Sequence, residues 1–141
     1  MADSKKLTPE QVAELVESGH TYVDVRSRLE FEEGHVPGSF NVPLMDLDPS
    51  GRLAPNRNFM AVMEARFGKE QPLILGCRSG GRSRQAALLL LQAGYLDIAE
   101  MPAGWEGARD AFGRPTPGWR PKGLPVETGH PEGRCYTDLE S

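Results

Sequence analysis

The sequence predicts a single α/β domain in which helices cover both faces of a parallel or mostly parallel sheet. Segments with the pattern of β-strands alternate with segments of helical spacing, as in proteins built from β-α-β units. Pro72-Leu73-Ile74-Leu75 is a short, continuous apolar run, which is typical of a strand buried on both faces. The 141 residues are enough for one hydrophobic core and favour one domain over two.

The N-terminal part of the chain carries clear signals for its elements. Thr8 and Gln11 have the spacing of a capping box, a proline occupies the first turn, and Gly19 ends the predicted helix. Residues 21–25 form a β-branched run that predicts a strand. Residues 27–33 predict a short helix with a second capping box at its start. A helix, a strand and a helix therefore open the domain.

The rest of the predicted domain continues this alternation. In chain order it contains a Pro-, Gly- and Asp-rich loop (46–55), a helix (56–67), the buried strand (72–75), a helix (83–93), a strand (95–99) and a last helix carrying Trp105 (104–112). The composition changes at Gly113, so we place the domain at residues 7–112.

Residues 113–141 form a tail rich in proline and glycine. Its five prolines, between residues 115 and 131, argue against a regular helix or a central strand. We expect an extended segment that packs on the domain through Trp119, Leu124 and Val126. Its last residues are predicted to be mobile.

Composition and charge exclude several classes of function. The net charge of −4 gives no reason to expect nucleic acid or an anionic membrane as a partner. No apolar run reaches about 18 residues, and residues 1–6 lack the apolar core of a secretory signal, so we expect a cytoplasmic protein. The three histidines are scattered and the two cysteines lie far apart, which argues against a metal site, a bound cofactor or a disulfide framework.

A glycine- and arginine-rich loop follows the buried strand. It reads Cys77-Arg78-Ser79-Gly80-Gly81-Arg82-Ser83. Backbone N–H groups in such a loop, together with the N-terminus of the next helix, form a cradle for an anion. Arg78, Arg82 and Arg84 add local positive charge, which favours the nucleophilic thiolate of Cys77. A buried core cysteine is the competing interpretation, and the flanking charges disfavour it.

This loop resembles the active-site loop of the rhodanese family, Cys-x-x-Gly-x-Arg-Ser/Thr. The N-terminal signature of the family resembles Asp24-Val25-Arg26, Glu30-Phe31, Gly34-His35-Val36-Pro37-Gly38-Ser39 and Asn41-Val42-Pro43. The segment that closes the family's domain resembles Gly94-Tyr95 and Met101-Pro102-Ala103-Gly104-Trp105, although most members have Gly-Gly at Ala103-Gly104. Over residues 8–112 the resemblance implies a rhodanese-like three-layer α/β/α fold, with about five short strands in a mostly parallel central sheet.

The resemblance also implies a sulfurtransferase. Cys77 would take the outer sulfur of thiosulfate or of a persulfide donor and pass it to a thiol, to cyanide or to a protein thiol. The N–H groups of the loop residues Ser79, Gly80, Gly81, Arg82 and Ser83 would hold that sulfur. Arg78 is expected to recruit the anionic donor, and Arg82 to brace the loop against an acidic side chain.

Four further residues have structural interpretations. Asp24 and Arg26, at the end of a predicted strand, are expected to support the loop backbone through charge-assisted hydrogen bonds. His35 could act as a general base, but its turn matches a structural signature of the family. Cys135 is predicted to be a solvent-exposed bystander, and the alternative is a second thiol that accepts sulfur from Cys77.

Two other functions compete with sulfur transfer. Related phosphatases and arsenate reductases use a loop with the arginine six places after the cysteine. Here Arg82 stands five places after Cys77, so the loop is too short for a tetrahedral phosphate. Non-catalytic rhodanese-like modules act in protein interaction or sulfur delivery, and they usually lose the cysteine that this chain keeps.

Overall fold

A computed structural model describes residues 3–140. Three residues lie outside the described part of the chain: Met1, Ala2 and Ser141. The first two belong to the N-terminal segment for which no secretory signal is predicted, and the last belongs to the predicted tail. The strands are β1 (Lys5–Lys6), β2 (Thr21–Asp24), β3 (Phe40–Asn41), β4 (Met45–Leu47), β5 (Leu53–Pro55), β6 (Leu73–Gly76), β7 (Ile98–Glu100), β8 (Gly107–Arg109) and β9 (Pro115–Pro117). The helices are α1 (Pro9–Glu17), α2 (Arg28–Glu33), α3 (Phe59–Arg66), α4 (Gly81–Gln92) and α5 (Tyr136–Leu139).

Five short strands form the central sheet in the order β1-β7-β6-β2-β3, and every neighbouring pair is parallel. This confirms the predicted mostly parallel sheet. The register between β2 and β6 runs from Thr21 opposite Leu73 to Asp24 opposite Gly76. Parallel strands end at the same edge of a sheet, so Asp24 and Cys77, the residue after β6, lie near each other at that edge.

Two apolar cores cover the two faces of this sheet. Alternate side chains of a strand point to opposite faces, so Val23 and Leu75 belong to one core and Tyr22 and Ile74 to the other. The first core is closed by α3 and α4, and the second by α1 and the tail residue Trp119. The predicted three-layer arrangement is confirmed.

Local capping interactions set the ends of the first two helices. Both predicted capping boxes are present: Thr8 and Gln11 cap α1, and Ser27 and Glu30 cap α2. The helices predicted at 56–67 and 83–93 are confirmed as α3 and α4 with shifted ends, and the strand predicted at 95–99 is β7.

Two predicted segments are antiparallel hairpins instead. Residues 46–55 are not all loop, because β4 and β5 pair around a turn in which the carboxylate of Asp48 accepts hydrogen bonds from the N–H groups of Ser50 and Arg52. The helix predicted at 104–112 is wrong, because this segment contains β8, which pairs with β9 in the tail. The N–H groups of Trp105 and Glu106 donate to carbonyls outside the segment, which removes them from any helical ladder.

The tail packs along the domain and contains structure of its own. Trp119 is buried and its indole N–H donates to Pro125 O at 2.7 Å, but Val126 is 47% exposed, so the prediction of Val126 as an anchor is wrong. Near the C-terminus the chain forms α5, whose Tyr136 and Leu139 join the core that α3 and α4 close. Within residues 3–140, no helix is long and apolar enough to cross a bilayer.

Candidate active site

Cys77 lies directly after β6 at the carboxyl edge of the sheet, and its side chain is buried. The N–H group of Gly80 donates to Cys77 Sγ at 3.1 Å. Ser83 Oγ lies 3.5 Å from the same sulfur and also donates to Gly80 O at 3.1 Å. The loop therefore curls around the sulfur, with the N–H group of Gly80 and the hydroxyl of Ser83 next to it.

Helix α4 begins inside the predicted loop, at Gly81. Gly80 is its N-cap with φ +100°, a left-handed conformation that favours glycine, and an added Cβ would lie 2.7 Å from Pro102 O. The first N–H groups of a helix have no partner within the helix and carry partial positive charge. Starting the helix at Gly81 therefore places this positive end at Cys77.

Arg82 points away from the sulfur and binds Glu30. Its two terminal nitrogens lie 2.7 and 3.0 Å from the two carboxylate oxygens. Glu30 is also the capping-box residue of α2, so one carboxylate joins α2 to the cysteine loop. Burial opposes ionisation of Glu30, but the hydrogen bonds and charge of Arg82, aided by Ser27, lower its pKa from 4.5 to about 2. The predicted acidic partner of Arg82 is thus Glu30.

Because of the Glu30–Arg82 ion pair, the free energy of unfolding is expected to depend on pH. Because the pKa of Glu30 is lowered by folding, its contribution is full above pH 4.5 and is lost as the pH falls towards about 2. We expect Glu30→Gln, which can still cap α2, to remove about 2–3 kcal/mol at pH 7. Urea unfolding of wild type and variant from pH 7 to pH 2 measures this. The two free energies should converge over that window, and a constant difference would contradict the assignment.

The chain segment after β7 holds the backbone of the loop. The N–H groups of Trp105 and Glu106 donate to Cys77 O at 2.8 Å and to Arg78 O at 3.0 Å. Gly104 approaches the same two carbonyls so closely that an added Cβ would lie 2.5 Å from Arg78 O and 2.8 Å from Cys77 O. The first two residues of the loop are therefore clamped by backbone contacts that no local pattern predicts.

Comparison with known proteins identifies the family. The family model described as a rhodanese-like domain matches residues 8–111. The chain belongs to the rhodanese-like family. It is 35% identical over 114 residues to a chloroplastic thiosulfate sulfurtransferase, number 16, of Arabidopsis thaliana, covering 81% of this chain and 85% of the relative. It is 28% identical over 127 residues to the thiosulfate sulfurtransferase GlpE of Haemophilus influenzae strain PittEE, covering 89% and 97%.

A solved structure gives the same fold for this rhodanese-like chain. The crystal structure of Rv0390 from M. tuberculosis superimposes with a TM-score of 0.72 at 30% sequence identity. The match covers 91% of this chain and all of the other. The rhodanese-like three-layer fold expected from the sequence is thereby confirmed.

Asp24 and Arg26 support the site differently from the expectation. Their side chains bind each other, with Arg26 Nη2 2.7 Å from Asp24 Oδ2, and Arg26 also donates to Gly34 O at 2.6 Å. The guanidinium lies 4.9 Å from the ring centroid of Trp105. The pair therefore supports the site through Trp105 and the turn at Gly34. The loop backbone is held by Trp105 and Glu106 N–H groups instead, which corrects the predicted direct contact.

His35 is fully buried in contacts that suit a structural role. Its ring stacks on Phe31 with a centroid distance of 3.6 Å. Nδ1 lies 2.6 Å from Phe31 O, and Nε2 lies 3.0 Å from Glu127 Oε1. The backbones of His35 and Glu127 also exchange two hydrogen bonds, so this histidine joins the tail to the domain.

Cys135 is buried and not exposed, so this prediction is wrong. It is 8% exposed and precedes α5, whose apolar side chains draw it against the domain. Its Sγ lies 3.3 Å from Asp138 Oδ2 and 3.4 Å from Thr137 Oγ1. Both cysteines are free thiols. No group of three metal-ligating side chains occurs within residues 3–140.

A cavity of about 430 Å³, here called the side cavity, opens beside the loop. Its lining residues come from four parts of the chain and are Arg26, Glu30, Glu33, Arg78, Trp105, Glu106, Arg120 and Val126. Sequence reasoning missed Glu33, Glu106 and Arg120, because no motif places them near Cys77. The exposed Arg78 projects here from the loop, as predicted.

Proposed function

We propose that this rhodanese-like chain is a sulfurtransferase that moves sulfane sulfur through a persulfide on Cys77. The observation that carries the proposal is the hydrogen bond from Gly80 N–H to Cys77 Sγ at the start of α4, which suits a thiolate and then a persulfide. Relatives named thiosulfate sulfurtransferases support thiosulfate or a persulfide as donor and a thiol, a protein thiol or cyanide as acceptor.

The two steps balance without an external oxidant or reductant. The Cys77 thiolate attacks the outer sulfur of thiosulfate, a new S–S bond forms, and sulfite leaves with the electron pair of the broken bond. An acceptor thiolate then attacks the outer sulfur of the persulfide, and Cys77 leaves as thiolate. The N–H groups at the start of α4 would stabilise the negative charge in both forms of the enzyme.

Intact mass after incubation with thiosulfate tests the proposal. A persulfide adds one sulfur, about 32 Da, and cyanide or dithiothreitol should remove it. Release of one sulfite per adduct, measured in the same sample, gives the stoichiometry. A wild-type protein that never gains this mass with thiosulfate or with a low-molecular-weight persulfide would indicate a non-catalytic module instead.

The two loop arginines are expected to have different kinetic effects. Arg78 is exposed and has no ion-pair partner within residues 3–140, so Arg78→Ala should raise the thiosulfate KM about three- to tenfold with little loss of stability. Arg82 is bound to Glu30, so Arg82→Ala should lower stability and kcat with a smaller effect on KM. Steady-state kinetics and urea unfolding of both variants measure this. The reverse pattern would exchange the two roles.

A further inference from the structure

The side cavity is larger than the donor alone requires. At about 430 Å³ it falls within the range of small-molecule sites, roughly 300–1,000 Å³. A thiosulfate ion would fill only a small part of it. The cavity contacts the cysteine loop at Arg78, and Glu30, another lining residue, binds Arg82 of the same loop. A second, larger reactant therefore has room next to Arg78, the residue that follows Cys77 in the loop.

Most charges that line the side cavity are already neutralised. Arg26 is paired with Asp24, Glu30 with Arg82, and Glu106 with Arg120 through contacts of 2.7 and 2.5 Å. Each pair joins opposite charges, so their net contribution to the cavity is small.

The two remaining charges have opposite signs. Arg78 and Glu33 are exposed, line the cavity and form no side-chain ion pair within residues 3–140. Glu33 is also the last residue of α2, where the partial negative charge of the helix end disfavours a carboxylate. The stability of α2 therefore does not explain why a glutamate occupies position 33. Trp105 and Val126 also line the cavity and add apolar side chains to its wall.

We propose that the side cavity binds the sulfur acceptor and selects a small zwitterionic thiol of the amino-acid type. Arg78 binds the carboxylate of the acceptor and Glu33 binds its ammonium group. The inference rests on the proposed function, because it concerns the second step, in which the acceptor thiolate attacks the outer sulfur of the Cys77 persulfide. Since sulfite leaves before the acceptor enters, Arg78 serves each anion in turn.

The tail completes this subsite. Arg120 and Val126 lie beyond residues 8–111, the part of the chain that matches the rhodanese-like family model. The N–H groups of Trp119 and Arg120 donate to Gly104 O at 2.9 Å and Trp105 O at 3.0 Å, which fixes the tail to the segment that clamps the loop. The side chain of Arg120 then neutralises Glu106, so Glu33 is left as the unpaired anion of the cavity.

Single-turnover transfer from the preloaded Cys77 persulfide tests the inference, with loss of the added sulfur mass as the readout. The acceptors are cysteine, cysteamine without the carboxylate, 3-mercaptopropionate without the ammonium, and 2-mercaptoethanol without either. For each acceptor, the ratio of variant to wild-type rate constants removes differences in intrinsic thiol reactivity. Preloading removes the donor step from the measurement.

Glu33→Gln should lower the rate constant of sulfur transfer to cysteine and to cysteamine about three- to fivefold. The rate constants for the other two acceptors should not change. Arg78→Met should lower the rate constant of sulfur transfer to cysteine and to 3-mercaptopropionate by a similar factor, and should not change that for cysteamine. The matched control is Glu17→Gln, an exposed glutamate that also ends a helix, and it should change none of the four rates.

Equal ratios for all four acceptors in Glu33→Gln would overturn the acceptor subsite while leaving sulfur transfer by Cys77 intact. A protein that takes up no sulfur at Cys77 would overturn the proposed function, and the subsite with it. A thermal unfolding midpoint of Glu33→Gln at or above that of wild type is expected, since the substitution removes a carboxylate from a helix end.

Discussion

Cys77→Ser is expected to abolish the thiosulfate-dependent mass increase and to lower sulfurtransferase turnover by about 10³-fold or more. The serine hydroxyl stays protonated near neutral pH and cannot form the S–S bond on which the proposed mechanism depends. The fold should be retained, because serine is close in size to cysteine and can keep hydrogen bonds with Gly80 N–H and Ser83. Intact mass and coupled sulfite release measure the two effects.

Cys135→Ser is the matched control for this prediction, because Cys135 is the other buried free thiol. It should still gain one sulfur on Cys77 and lose it to an acceptor. An adduct that persists in Cys77→Ser and disappears in Cys135→Ser would place the reactive thiol in the tail and contradict the assignment of the site. A disulfide between the two cysteines, found by mapping the oxidised protein, would indicate a relay.

Gly104→Ala is expected to lower the free energy of unfolding by about 2–4 kcal/mol and to reduce persulfide formation. Gly104 has φ +70°, and the added Cβ would lie within 3 Å of the carbonyls of Arg78 and Cys77. The segment that donates hydrogen bonds to these carbonyls must then move away, and the loop moves with it. Urea unfolding and the rate of sulfur loading measure the two consequences.

Gly113→Ala separates backbone strain from the close approach. Gly113 has a similar φ, +77°, but nothing lies within 4 Å of its added Cβ. The free energy of unfolding of Gly113→Ala should fall by only about 1 kcal/mol, which is the cost of the left-handed conformation for alanine. The variant should take up sulfur at the wild-type rate. If both variants lost the same stability and kept the same loading rate, the clamp on the loop would not matter for the reaction.

The parts of the fold that the sequence predicts correctly depend on residues close together in the chain. The capping boxes of α1 and α2 join residues three positions apart, and the buried strand β6 is predicted by its continuous run of apolar residues. The cysteine loop is equally local, since Gly80 N–H reaches Cys77 Sγ across three positions. Such contacts form wherever the local sequence permits them.

The wrong predictions concern residues whose environment is set at long range. The segment after Gly104 has helical composition, yet its N–H groups pair with Cys77 and Arg78, more than 25 positions earlier. Cys135 lies in a polar stretch, but the burial of Tyr136 and Leu139 buries it as well. Tertiary packing overrides local preference in both cases.

The sequence alone therefore determined the cysteine loop, because Cys77, its glycines and its arginines are contiguous and lie in one strand-to-helix turn. Only the tertiary structure decided what surrounds that loop. Three features of these surroundings join segments that are far apart in the chain. They are the ion pair of Glu30 with Arg82, the hydrogen bonds from Trp105 and Glu106 to the loop, and the side cavity completed by Arg120. Their contact depends on how the parallel sheet and the tail bring those segments to one edge, which no local pattern encodes.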